Sequence, residues 1–262
     1  MAILERQDTD GIVRLVMNAP ERLNALSDEM LAALDGQIAA LKQDRTARVV
    51  LLSGAGRAFC AGHDLKEMQA GRQAEDGGAA YFADLFARCA AVMTGLRDLP
   101  QPVIALPHGI ATAAGCQLVA ACDMAIAAEG TRFGVNGVNI GLFCSTPMVA
   151  LSRNIPRKLA FEMLTTGEMI GTARAAELGL INRAVPAERL EEEGLALART
   201  LAAKLDTALR IGKPAFYRQA EMDLDQAYAF TAEVMVRNMM DRDTDEGIQA
   251  FLDKRRPGWH RD

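Results

Sequence analysis

Residues 109–123 read GIATAAGCQLVAACD: glycine, alanine and threonine crowd the stretch behind the apolar run VIAL (103–106), and an amide, Gln117, then stands among small and apolar neighbours. A short apolar strand followed by so small a stretch points to an α/β sheet with a ligand site at a strand end, where such folds bind their ligands. Glycine and alanine let a ligand approach main-chain N–H groups that bulkier side chains would cover. A second stretch does the same: SGAGRAFCAGHDLKEM (53–68) begins where the run VVLL (49–52) stops. If the two meet in space, they can present two main-chain donors to one oxygen.

The flanking sequence agrees with α/β. ILERQ and GIVRLVMN alternate apolar and polar residues around DTDG (8–11), the pattern of a hairpin. Ser27 is placed to cap a helix whose first turn carries Asp28 and Glu29 and whose buried stripe is Met30, Leu34, Ile38 and Leu41. RVVLLSG (48–54) has the continuous apolar character of a strand covered on both faces. Residues 71–78 form a glycine-rich polar loop, expected to be mobile, before a helix over 81–99. PVIAL and DMAIAA supply two further strands. Beyond Ser145 the period is helical, interrupted by one short strand at LINRAV (180–185). We therefore expect one structural domain, with a core over 1–200 and a helical extension over 201–262. The Met- and Ala-rich last helices can bury their apolar face either on a neighbouring subunit or on their own core.

Composition narrows the function. A net charge of −5 provides no broad basic field, which argues against a nucleic-acid partner. Five irregularly spaced cysteines read as reduced thiols, and no C-x-x-C or histidine cluster suggests zinc. The stretch VIALPHGIATAAG is broken by Pro107, His108 and two glycines, so it is not a membrane span. MAILERQDTDG has neither a secretory nor a transit pattern, and the location expected from these features is cytoplasmic.

GRAFCAGHDLKEM (56–68), PVIALPHGIATAAGCQLVAACDMAIA (102–127) and ERLNAL (21–26) together resemble the signatures of the crotonase, or enoyl-CoA hydratase/isomerase, superfamily. GVNIGLFCSTPMVALSR (137–153) and AFLDKRRPGW (250–259) are similar to one particular group within it. The resemblance implies a spiral of ββα units whose C-terminal helical segment builds homotrimers, often paired into hexamers. It implies an acyl-CoA thioester as ligand, with coenzyme A entering as part of the substrate and no tightly bound cofactor. By motif position, the thioester carbonyl would lie between the main-chain N–H groups of His63 and Ala114. Arg22, Leu23, Ala25, Ala61, Asp64, Leu65, Lys66 and Ala113 would join them in holding the coenzyme A portion.

The family's hydratases use two glutamates for water and proton, and those positions fall here on Gln117 and Gly137. A third acid, used by some isomerases, falls on Ser145. Glutamine can hold a water but cannot take its proton. Loss of two acid–base groups, each worth roughly 10² to 10⁴ in rate, implies slow hydration at best. Two oxyanion donors, each worth about 10² to 10³, would remain.

Three activities stay open: hydration of a 2-enoyl thioester; isomerisation or thioester hydrolysis using Cys144, Ser145 or a water; and acyl-CoA binding without turnover. Ser145 is expected to cap a helix, Asp64 to fix its loop through backbone bonds, and Asp123 to be structural. Glu67 suits a helix N-terminus or a solvated face. Arg22 and Lys66 are candidates for the cofactor's phosphates, with Lys254, Arg255 and Arg256 placed to reach a neighbour's ligand or merely solvated.

Overall fold

The computed structural model describes residues 2–259. His260 lies outside the described residues. The predicted hairpin is present: β1 (Leu4–Thr9) pairs antiparallel with β2 (Ile12–Met17), with Leu4 opposite Met17. The chain turns at Asp10 and Gly11, both at positive φ. Next comes α1 (Asp28–Gln43), capped by Ser27, whose side chain accepts from Met30 N. Its buried face is Met30, Leu31, Leu34, Ile38 and Leu41. Each of these side chains contributes about 1.5–3 kcal/mol through burial.

β3 (Val49–Gly54) follows, then α2 (Leu65–Gly71), the turns of residues 72–78, and α3 (Ala79–Asp98). By length and composition α3 could cross a membrane, but its stripe of Leu85, Cys89, Val92 and Leu96 is packed into the core. The chain continues through β4 (Val103–Ala105), β5 (Ile110–Thr112), α4 (Ala114–Ala121), β6 (Met124–Ala128) and β7 (Arg132–Gly134). After these come α5 (Pro147–Asn154), α6 (Arg157–Thr166), β8 (Ile170–Gly171), α7 (Thr172–Leu178), β9 (Arg183–Val185) and α8 (Leu190–Ala202).

Two sheets result. The larger has the order β1-β2-β3-β4-β6-β9 and is parallel from β2 onward. β3 shows why its sequence is apolar throughout. Val50 and Leu52 face a core shared with α1 and α3, while Val49 and Leu51 face a second cluster built on α8. The smaller sheet, β5-β7-β8, is absent from the expectation above. Its first strand is the GIAT segment itself, paired parallel with β7 from Ile110↔Arg132 to Thr112↔Gly134.

The last helices are α9 (Asp206–Gln219), α10 (Leu224–Met239) and α11 (Arg242–Leu252). α9 is pinned to the core by a buried polar node at Asp123, which is structural as expected. Lys213 Nζ, 7% exposed in its side chain, lies 2.7 Å from Asp123 and donates to Leu96 O and Gln101 O at 2.9 Å. Tyr217 donates to Asp123 Oδ1 at 2.8 Å, and Val103 N donates to Oδ2 at 2.6 Å. Burial pulls Lys213 down and pushes Tyr217 up from their ordinary pKa values. α10 and α11 differ: Met235, Met240, Phe251 and Leu252 are exposed, Phe251 to 82%. Of the two alternatives for the tail, α9 takes the core while these side chains remain uncovered.

Candidate active site

Two loops meet as their composition suggested. Residues 60–63 run parallel to 110–114: Cys60 N donates to Ile110 O and Thr112 N to Cys60 O, both at 3.1 Å. Gly115 packs so tightly on Cys60 O that no Cβ fits there. At Gly62, φ is +92°, and a Cβ would sit 3.0 Å from Ala113 Cβ and 3.4 Å from Ala114 N. The residue before His63 is thus pressed against the residue pair Ala113–Ala114. Among the described residues, the main-chain N–H groups of His63 and Ala114 make no hydrogen bond.

Local strain sets the second amide. Ala113 has φ 50° and ψ −119°, a backbone state that favours glycine. Such a state costs of order 1–3 kcal/mol and persists where the surroundings enforce it. Here Ala113 N donates to Gly134 O at 2.8 Å, and Thr112 Oγ1 bonds Asn136 Oδ1 at 2.7 Å. The strain turns the chain into α4, leaving Ala114 N–H as a free donor at its N-terminus.

The ERLNAL loop seals the other side. Ala61 N donates to Leu23 O and Leu26 N to Gly62 O, at 3.0 and 2.7 Å. Leu23 and Asn24 both take left-handed φ values. Asn24 is fully buried: its Oδ1 accepts from Ala19 N, and its Nδ2 donates to Ala55 O and Ala58 O at 2.9 and 2.8 Å. This residue ties the ERLNAL loop to the loop that follows β3, and sequence pattern alone does not single it out. A lone polar residue in an otherwise irregular loop carries no periodic signal. Ala25 is buried and Leu65 exposed. Asp64 caps α2 by accepting from Lys66 N and Glu67 N, the backbone role expected of it.

Glu67 does not lie on a solvated face alone; its Oε2 accepts from Asp28 N, at the start of α1, at 2.8 Å. Arg22 reaches Asp64 and Glu67 at 3.3 and 3.4 Å and remains half exposed. Lys66 is exposed and makes no ion pair among the described residues. Arg255 is committed to Glu246 at 2.6 and 2.9 Å, so its charge is matched within its own chain.

The His63 ring packs edge-on against Phe86, 5.6 Å between centroids, and Phe86 stacks on Phe82. Burial pulls its pKa down to about 4, so the ring is neutral near pH 7. Its Nε2 is buried without a hydrogen-bond partner among the described residues. The two phenylalanines, four residues apart on α3, form an aromatic wall that the spacing in YFADLF could have revealed.

Gln117 is 5% exposed, and its Oε1 also has no partner among the described residues. Gly137 is buried, and a Cβ there would collide with Leu142 O and lie 2.9 Å from Cys144 Sγ. Cys144 therefore occupies the space a longer side chain at 137 would need. Burial raises its thiol pKa, which keeps it protonated and poorly nucleophilic. The expected cap at Ser145 does not form. With Pro147 opening α5, Thr146 already has helical φ and ψ of −75° and −42°, and the exposed Ser145 hydroxyl turns back to Phe143 O at 3.4 Å.

A parallel-sheet core, two small-residue loops paired at strand ends and a pair of free amides define a crotonase-type fold. The enoyl-CoA hydratase/isomerase family model matches residues 7–262, and the chain belongs to this family. It is 45% identical over 250 residues to the rat enoyl-CoA hydratase domain-containing protein 3, mitochondrial, covering 95% of this chain and 82% of the relative. The crystal structure of the human enoyl coenzyme A hydratase domain-containing protein 3 superposes with a TM-score of 0.93 at 44% identity, over 98% of this chain and all of that one. An enoyl-CoA hydratase structure from Mycobacterium smegmatis gives 0.95 at 51% identity, over 99% of both chains. The group suggested by residues 137–153 and 250–259 is thus among its relatives. The expected cytoplasmic location does not stand: the rat and human relatives are named as mitochondrial proteins.

Proposed function

We propose that the two paired loops bind an acyl-CoA thioester and polarise its carbonyl between the N–H groups of His63 and Ala114. The observation that carries this is the pair of unmatched amides on two loops pressed together at Gly62. Coenzyme A enters as part of the substrate, against Arg22, Leu23, Ala25, Ala61, Asp64, Leu65, Lys66 and Ala113, with Lys66 the cation free to meet a phosphate. Phe82 and Phe86 supply apolar surface for the acyl chain.

Two-acid hydration is not available to these residues. Gln117 has no proton to exchange, and Gly137 offers only backbone. General acid–base help of roughly 10² to 10⁴ per group is forgone, while the oxyanion donors, about 10² to 10³ each, are retained. The function we assign is therefore thioester binding and activation, with hydration of a 2-enoyl thioester far below the rate of a two-glutamate hydratase. Calorimetry with butyryl-CoA and loss of crotonyl-CoA absorbance test the two halves. Binding with slow or absent hydration is expected; no binding, or hydration at ordinary enzyme rates of about 1–10³ per second, contradicts it.

We also propose that the exposed apolar side chains of α10 and α11 are covered in a homotrimer, single or paired into a hexamer. Their exposure supports this. Sedimentation velocity should then find no monomer at micromolar concentration; a stable monomer would rule the assembly out.

A further inference from the structure

Lys213, on the helical extension, bonds to the far ends of two helices that build the thioester site. α4 begins at Ala114, whose N–H is one of the two free donors, and its eight residues make it about 12 Å long. Asp123 stands two residues past its end at Ala121. Asp123 Oδ2 lies 2.7 Å from Lys213 Nζ and accepts from Val103 N, while Oδ1 accepts from Tyr217. α3, which carries Phe82 and Phe86, ends at Asp98, so the Leu96 carbonyl is one of the last four, which have no partner within the helix. Lys213 Nζ donates to that carbonyl and to Gln101 O, each at 2.9 Å. An ammonium has three donors, and Asp123, Leu96 and Gln101 take all three.

These bonds fix what packing leaves loose. α4 is buried, yet Ala114, Gly115, Cys116 and Ala120 are small and bury little apolar area. On α9, Ala215 is the one buried residue among those described. Hydrophobic contact is also non-directional, whereas a charge-assisted hydrogen bond specifies a geometry. Asn154 adds a second tether at the same end of α4, donating to Ala120 O at 2.9 Å. A short rigid helix carries a displacement of one end to the other. At that other end tolerance is small: an oxyanion donor works at about 2.7–3.1 Å, and a misplacement of about 1 Å caused by a distant mutation can cost about 10²-fold in rate.

We propose that Lys213 is a positioning residue for the thioester site. Through Asp123 and the Leu96 carbonyl it fixes the C-terminal ends of α4 and α3, and so sets the Ala114 N–H against the His63 N–H and the aromatic wall. This rests on the acyl-CoA function proposed above and adds a dependence on the helical extension: the donor pair is in register only while α9 is docked.

The test uses the full chain and reads the thioester carbonyl stretch of bound butyryl-CoA in infrared difference spectra, isolated by isotopic labelling of that carbon. In wild type the stretch should fall below that of the free ligand. Lys213→Met should return it toward the free value and weaken butyryl-CoA binding roughly 2- to 12-fold in Kd, the worth of about one hydrogen bond, while the affinity for free coenzyme A is unchanged. Because the single variant strands the Asp123 charge, Lys213→Met combined with Asp123→Asn serves if it does not fold. Tyr217→Phe, which removes one bond to Asp123 and alters no charge, should show a smaller change in the same direction. Ile12→Ala, a cavity variant in the second core cluster, should lose stability and keep the wild-type stretch. A wild-type stretch in the folded Lys213 variants, or an equal loss of the shift in Ile12→Ala, overturns the positioning role. A wild type that binds no butyryl-CoA, or binds it with the carbonyl unshifted, instead overturns the acyl-CoA function on which it rests.

Discussion

Restoring the missing acids is the obvious way to make a hydratase of this chain, and the packing at Gly137 leaves no room for the second of them. Gly137 is not at positive φ, so a larger side chain there meets only a steric obstacle. A single Cβ already collides with Leu142 O and crowds Cys144 Sγ at 2.9 Å, and one of these neighbours is backbone. Overpacking of this kind costs typically about 1–3 kcal/mol, offset by about 0.4–1 kcal/mol from the stiffer unfolded chain. Gly137→Ala should therefore lose a net ~1–2 kcal/mol, a fall in Tm of roughly 2–8 °C for a chain this long. Gly137→Glu adds further atoms to the same space and should be worse. In a crotonyl-CoA absorbance assay, Gln117→Glu alone should gain up to roughly 10² to 10⁴ in hydration rate from one acid. Adding Gly137→Glu should yield no further gain. An unchanged urea midpoint for Gly137→Ala, or a double variant clearly faster than the single one, would refute this reasoning.

Other perturbations probe the loops. Ala113→Gly should stabilise the protein by about 0.5–2 kcal/mol, the relief of a strained φ less the added freedom of the unfolded chain, as read from urea unfolding. Asn24→Ala strands Ala19 N–H and the carbonyls of Ala55 and Ala58, so a loss of about 2–4 kcal/mol together with weaker butyryl-CoA binding is expected in unfolding and calorimetric measurements. His63 has its folded pKa pulled below the unfolded value of 6.5, to about 4. The unfolded chain therefore binds the extra proton first, and stability should fall as pH drops from about 6.5 toward 4. His63→Gln should flatten that part of the pH profile; an identical slope in the variant would show that other groups cause it.

What could be read ahead of the structure follows local pattern. The α1 stripe, the hairpin and β3 each carry a complete period within a few residues, and the two ligand loops announce themselves by their lack of bulk. The small sheet has no sequence signature of its own, because Ile110–Thr112 is three residues long and set in the same glycine and alanine run that marks the loop. Through-space relations were invisible for a different reason. The sequence names a glycine at 137, but only the fold places Leu142 O and Cys144 Sγ where its side chain would go. Ala113 carries no residue-type signal of its positive φ, since alanine is not the residue that state favours. Ser145 misled because Pro147 starts the helix one residue later than a serine cap would.

The most direct measurement is a crystal structure with butyryl-CoA bound. The thioester oxygen should lie about 2.7–3.1 Å from both His63 N and Ala114 N. An oxygen held by neither amide, or a ligand seated away from the contact between Gly62 and Ala113, would contradict the account at its root.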